Sequence, residues 1–295
     1  MAFYPRGGGQ NQFAEMAIPI VLVVLVLVVV ATQFMGICPS FLSFLCAGES
    51  VQTLIVTNPS DFDAAKAFGT DISSRVTKIT PVIDNNVQQH IREGAITSND
   101  YDLVILYGDN TALTTEARKE ITAYVNSGGA LILVRGAGLH QMNTDGTISE
   151  YTFGWAVDDM ASVVQFEPDC PTFTNCNTVA AVTALPSGMS NVQVVPTQYK
   201  HQIIERIGWT TPIGVDISRY PTFSGVTLVN EPHASNKVAW FEWTDSTGKS
   251  QSTAAFIAYD AGATGGRIVY LAYNPIELNQ EDLFRNIITW ATKST

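Results

Sequence analysis

The residues best equipped for chemistry fall just behind two apolar runs. YDLVILYG (Tyr101–Gly108) is followed by Asp109, and ALILV is followed by Arg135, Gly136, Ala137, Gly138, Leu139 and His140. A carboxylate, a guanidinium and an imidazole at the carboxyl ends of neighbouring parallel strands would stand where open α/β sheets bind ligands. A plainer reading stays open beside it: Gly136 and Gly138 form a tight turn, Arg135 pairs with a local carboxylate, and His140 is a solvated loop residue. The remaining candidates are less organised. His90 and His201 stand alone without metal-ligand spacing, Asp158-Asp159 is an isolated acidic pair, and Glu231-Pro232-His233 lies in an irregular stretch. Gly7-Gly8-Gly9 has no strand ahead of it, and Gly262–Gly266 precedes a strand rather than following one, the wrong order for a phosphate cradle. No metal site and no cofactor motif is expected.

The four cysteines form two close pairs, Cys38 with Cys46 and Cys170 with Cys176. An even number at short loop spacing suits local disulfides in an oxidising compartment, with four free buried thiols as the alternative. Neither pair has the two-residue spacing of a zinc site. The formal net charge of −11 repels phosphate backbones and argues against nucleic acid as a partner.

The elements that must position the candidates alternate in type. Val51–Thr57 is an apolar, β-branched run, and Asn58-Pro59-Ser60-Asp61 reads as a turn and helix cap. DFDAAKAFGTDISSRV reads as a helix, VTKITPVI as a strand and Tyr101–Gly108 as a buried strand. Leu113–Gly129 is a helix capped by Thr114 or Thr115 and ended by Gly128, and Ala130–Gly136 is another apolar strand. Continuous apolar strands separated by helices predict a parallel sheet covered on both faces. From about residue 140 to 236 the rhythm is lost, and short β-like runs such as VQVVPT and GVTLVN predict a β-rich insertion. KVAWFEWT and TAAFIAYD then look like paired strands, GGRIVYLAY is a strand, and LNQEDLFRNIITWATK is a helix with an apolar stripe of Leu283, Phe284, Ile287, Ile288 and Trp290.

YDLVILYGDN, LTTEARKEITAYVNSGGALILVRGAGLH and GGRIVYLAYNPIELNQEDLFRNIITWA resemble the class I glutamine amidotransferase-like superfamily and its ThuA-like relatives. The resemblance implies a flavodoxin-like, doubly wound sheet. It also implies a nucleophilic cysteine on a G-x-C-x-G turn and a late H-P-E signature that supplies the base. The best registration puts Gly136 at the cysteine position and Asn274, in Asn274-Pro275-Ile276-Glu277, at the histidine position. A glycine offers no nucleophile and an asparagine no base near neutral pH, so the expectation is a degenerate domain without glutaminase chemistry. A ligand rim would then comprise Asp109, Arg135, Gly136, His140 and Asn274.

At the N-terminus, Met16–Ile37 supplies the roughly 20 apolar residues that a membrane-crossing helix needs. Arg6 ahead of it and no Lys or Arg behind it until Lys66 put a tail of residues 1–15 in the cytoplasm and the large domain outside. The organisation expected is that tail, a transmembrane helix over 16–37, a juxtamembrane segment over 38–50, and an extracytoplasmic domain over 51–295. Three functions follow as expectations. The first is a non-catalytic binding or scaffold subunit of a membrane or cell-surface assembly, with membrane lipid and other proteins as partners. The second is a filament subunit, because RGGGQNQFAEMAIPIVLVVLVLVVV resembles an archaeal type IV prepilin N-terminus, with cleavage after Gly9 and Glu15 ahead of the apolar run. The third is a membrane-anchored hydrolase using Asp109, Arg135 and His140.

Overall fold

Runs in which every side chain is apolar fit only where both faces of a sheet are covered, and such runs form the middle of the molecule. The computed structural model describes residues 51–76, 79–84, 96–97, 100–108, 111–138, 140–152, 182–183, 190–197, 201–205, 208–215, 226–227, 237–260, 265–276 and 280–293. These residues belong to one compact unit, Ser50–Ser294. Its main sheet begins with β1 (Val51–Val56), β2 (Ile79–Asp84), β3 (Leu103–Tyr107) and β4 (Ala130–Val134). It continues with β8 (Ser190–Pro196), β9 (Ile213–Gly214), β11 (Lys237–Thr244), β12 (Ser250–Asp260) and β13 (Arg267–Leu271). The order across the sheet is β2-β1-β3-β4-β13-β12-β11-β8-β9. Two small antiparallel pairs stand apart from it: β5 (His140–Met142) with β6 (Ile148–Thr152), and β7 (Val182–Thr183) with β10 (Val226–Thr227).

The helices are α1 (Phe62–Arg75), α2 (Thr115–Asn126), a single turn α3 (Gln202–Glu205) and α4 (Glu281–Ala291). From β1 the chain crosses through α1 to one flank, and from β3 it crosses through α2 to the other. Right-handed crossovers in opposite directions place the two helices on opposite faces of the sheet. Ring contact between Phe68 and Phe284, 5.8 Å between centroids, puts α4 on the α1 face. Every residue of the predicted α4 stripe is buried there. Of the two expected candidates, Thr114 and Thr115, it is Thr114 that caps α2, its hydroxyl accepting from the Ala117 N–H at 3.1 Å.

The expected flavodoxin-like, doubly wound parallel sheet is corrected to a mixed one: β2, β1, β3, β4 and β13 run parallel, and β12, β11, β8 and β9 continue antiparallel. Connection length explains the change. A parallel crossover needs a dozen or more residues, whereas β11–β12 and β12–β13 are joined by short links. The β-rich insertion is part of this extension, since β8 pairs with β11 and β9 closes the edge.

The expected transmembrane helix is also corrected. Among the described residues no helix is long and apolar enough to cross a membrane. The longest, α1, has 14 residues where about 20 are needed, and the apolar runs are spent on covering the sheet. The reading as a single-pass membrane protein with a cytoplasmic N-terminus and an extracytoplasmic, cell-surface domain is overturned on that ground. Met16–Ile37 itself, the tail before it and the prepilin-like stretch lie outside the described residues. The disulfide expectation is corrected likewise: no disulfide is found among the described residues, and Cys38, Cys46, Cys170 and Cys176 all lie outside them.

Candidate functional site

The parallel register brings the ends of four strands side by side. Val56 stands opposite Leu106, Tyr107 opposite Val134, and Leu271 opposite Val134, so Thr57, Gly108, Arg135 and Ala272 emerge along one edge. Between β1 and β3 the chain reverses its direction of travel across the sheet, which is where such folds open a ligand crevice. Here the described residues bridge the crevice. The Thr111 hydroxyl donates to the Tyr107 carbonyl at 2.6 Å and accepts from the Asn58 N–H at 3.2 Å. Asp61 packs directly on Gly108: a Cβ at Gly108 would lie 2.5 Å from Asp61 Oδ2, and φ is +101°. Only glycine fits both requirements.

The turn after β4 is equally occupied. Arg135 has a left-handed backbone, φ 61°, and its N–H donates to the Leu271 carbonyl at 2.7 Å. Gly136 is buried. Gly138, φ 72°, donates its N–H to the Thr111 carbonyl at 2.7 Å. Its own carbonyl accepts from Arg118 Nη2 at 3.1 Å. Arg118 comes from α2 and is only 4% exposed, so a buried cation anchors the turn from below. On the neighbouring strand end Asn274 is buried, and its Oδ1 accepts from the Ile276 N–H at 3.0 Å. This is an Asx-turn that fixes the chain around Pro275. Tyr273 beside it is fully buried and donates its hydroxyl to Gln280 Oε1. Burial pushes its phenol well above the ordinary range despite that bond.

The structure therefore brings Arg135, Gly136 and Asn274 onto adjacent strand ends. His140 opens β5, in register with Thr152, and Asp109 lies outside the described residues, as does Glu277. The resemblance did not single out Asp61, Thr111, Arg118 or Gln280, which hold this edge together. Asp61 carried a signal in its Asn-Pro-Ser-Asp turn, and Asn274 carried one in standing directly before a proline. Arg118 carried none, because a basic residue on a helix ordinarily faces water. Among the described residues no cluster of three or more His, Cys, Asp or Glu could hold a metal ion.

No family model and no curated protein matches this chain. Solved structures do. A ThuA-like protein from Parabacteroides merdae superposes with a TM-score of 0.52 at 11% identity, over 84% of this chain and 91% of that one. A ThuA-like protein from Bacteroides uniformis gives 0.42 at 12% identity over 82% and 91%. A GH42 β-galactosidase from G. stearothermophilus gives 0.48 at 11% identity over 81% of this chain and 29% of that one. Likeness at this identity concerns fold alone, and the fold of this chain is ThuA-like.

Proposed function

We propose that this domain is a non-catalytic binding module, a degenerate member of the superfamily it resembles, which acts by holding a protein partner. The observation that supports this reading is the state of the two positions the resemblance assigns to chemistry. Gly136 has no side chain, and the Asn274 carboxamide is buried with its oxygen spent on the Ile276 N–H. Neither a nucleophile nor a base stands there, and the acidic chain disfavours nucleic acid as the alternative partner. The test is ammonia release from glutamine, and product release from a panel of chromogenic esters and glycosides, by the purified full chain. The expected result is no turnover above the uncatalysed rate. Turnover that co-purifies with the chain and vanishes on Arg135→Ala overturns the reading.

One observation favours a second reading, a hydrolase working through Asp109, Arg135 and His140. A non-glycine residue held at φ 61° costs energy, and such strain gathers at functional sites. The Arg135→Ala arm of the same assay distinguishes the two.

A further inference from the structure

Away from the carboxyl edge, two cavities of about 570 and 750 Å³ share Asn286 and Thr289 in their walls. They lie along α4, opposite the segment that carries α3 and β9. The smaller cavity is lined by Gln202 and Glu205 of α3, Arg267 at the start of β13, and Asn286, Trp290 and Lys293. Its size is in the range of small-molecule sites.

The two cations in that wall are each held by hydrogen bonds that, among the described residues, leave donors over. Arg267 Nε pairs with Asp260 Oδ2 at 2.8 Å, Nη1 donates to the Trp290 carbonyl at 2.6 Å, and the guanidinium lies 4.6 Å from the Trp290 ring centroid. Among the described residues those bonds use two of its five donors. Lys293 follows α4 with φ 55° and donates one of its three protons to the Gly265 carbonyl at 2.6 Å. Among the described residues it makes no ion pair with a carboxylate. The buried Asn286, which lines both cavities, donates Nδ2 to the Ile203 carbonyl, and that bond fixes its amide. Glu205 and Gln202 face these groups from α3. Preset donors of positive charge on one wall and amide and carboxylate acceptors on the other complement a compact solute with an oxoanion at one end and hydroxyl or amine groups at the other. The net charge of −11 does not forbid it, because charges beyond about 8 Å are screened at physiological salt.

We propose that the cavity between α3 and α4 binds a small carboxylate- or phosphate-bearing solute, with Arg267 and Lys293 holding the anion. The experiment titrates the full chain by calorimetry with inorganic phosphate and, separately, with succinate, at constant ionic strength in chloride. Saturable binding of phosphate assigns a phosphate-bearing ligand, and saturable binding of succinate a carboxylate-bearing one. Lys293→Gln keeps a donor for Gly265 but removes the charge, and is expected to weaken binding about tenfold or more, as loss of a charge-assisted hydrogen bond does. Glu205→Gln is expected to tighten it several-fold by removing the opposing charge. Neither variant touches the sheet core. No saturable binding of either probe, or affinity unchanged in Lys293→Gln, overturns the proposal. Turnover at the carboxyl edge would defeat the non-catalytic reading and leave this site standing, and absent binding here would do the reverse.

Discussion

Substituting alanine at Gly108 tests whether Asp61 closes the crevice between β1 and β3. Two costs arise, and the structure separates them. The backbone at φ +101° is one that an L side chain occupies only at about 1–2 kcal/mol. The new Cβ would also lie 2.5 Å from Asp61 Oδ2 and 2.7 Å from Asp61 Cβ. Asp61 must then move as a whole, because its Cβ is involved as well as its tip; overpacking of this kind costs about 1–3 kcal/mol. Gly108→Ala is therefore expected to lower stability by about 2–5 kcal/mol. Asp61→Gly removes all three contacting atoms, and glycine is tolerated at a helix N-cap for a few tenths of a kcal/mol. In that background Gly108→Ala should cost only the backbone part, about 1–2 kcal/mol. Urea unfolding of the four proteins of this cycle, with the m-value held constant, measures the coupling as about 1–3 kcal/mol. Coupling below about 0.5 kcal/mol, the level at which independent sites add, would refute the argument that the carboxylate rests on this glycine.

Asn274→Ala should lower stability by about 1–3 kcal/mol without altering the sheet, because it strands the buried Ile276 N–H; unchanged urea midpoints would show that the Asx-turn is dispensable. Gly266→Ala should be among the most damaging single changes, since its Cβ would lie 1.8 Å from the Gly129 carbonyl oxygen and neither backbone can yield; recovery of soluble chain at the wild-type melting temperature would contradict the close packing of β4 and β13. His201 yields a pH dependence. Its Nδ1 accepts from the Ile203 N–H at 3.2 Å and its ring packs 5.0 Å from Trp290. Burial and the nearby Arg267 charge hold its pKa below the usual 6.5, against the pull of Asp260 and Glu205. The unfolded chain thus binds the proton more readily, so this contribution to stability is complete above pH 6.5 and is lost as pH falls through the depressed folded value. Urea midpoints from pH 7.5 to 5 should fall for the wild type and fall less for His201→Gln; parallel curves would sink the assignment.

The parallel half of the sheet was legible in the sequence because burial on both faces leaves a simple mark. In β3 and β4 every position is apolar and every position is buried, and no other element short of a buried helix reads that way. The helices were legible through their caps and stripes, Thr114 for α2 and Leu283 through Trp290 for α4. The place of β8 was not legible. Its alternation identifies a strand, but its partner β11 lies some forty residues on in the chain, and periodicity carries no information about pairing at that distance. The membrane reading failed for a related reason: it rested on the length of one apolar run, a local property, and extended it to the placement of the whole chain.

The two polar regions of the domain differ in a way that decides which can meet a ligand. At the carboxyl edge Thr57, Thr111, Arg118, Asn274 and Gln280 are all buried, and most of their bonds close on backbone within the same edge. Thr57 Oγ1 and Gln280 Nε2 lack hydrogen-bond partners among the described residues, but they are sealed away from solvent. Among the described residues, reaching them takes displacing Asp61 from Gly108 or opening the turn that Arg118 holds. Either change exposes a buried polar group and costs several kcal/mol before any contact is gained. Along α4 the arrangement is the reverse. Among the described residues Arg267 and Lys293 are held by bonds that use only part of their donor capacity, and the cavity they line is already open. A ligand there meets groups that are ordered in advance and accessible, so it owes little for rearrangement. The edge that resembles a catalytic site is the more closed of the two, and the groove that resembles nothing in the family's motifs is the one built to receive a solute.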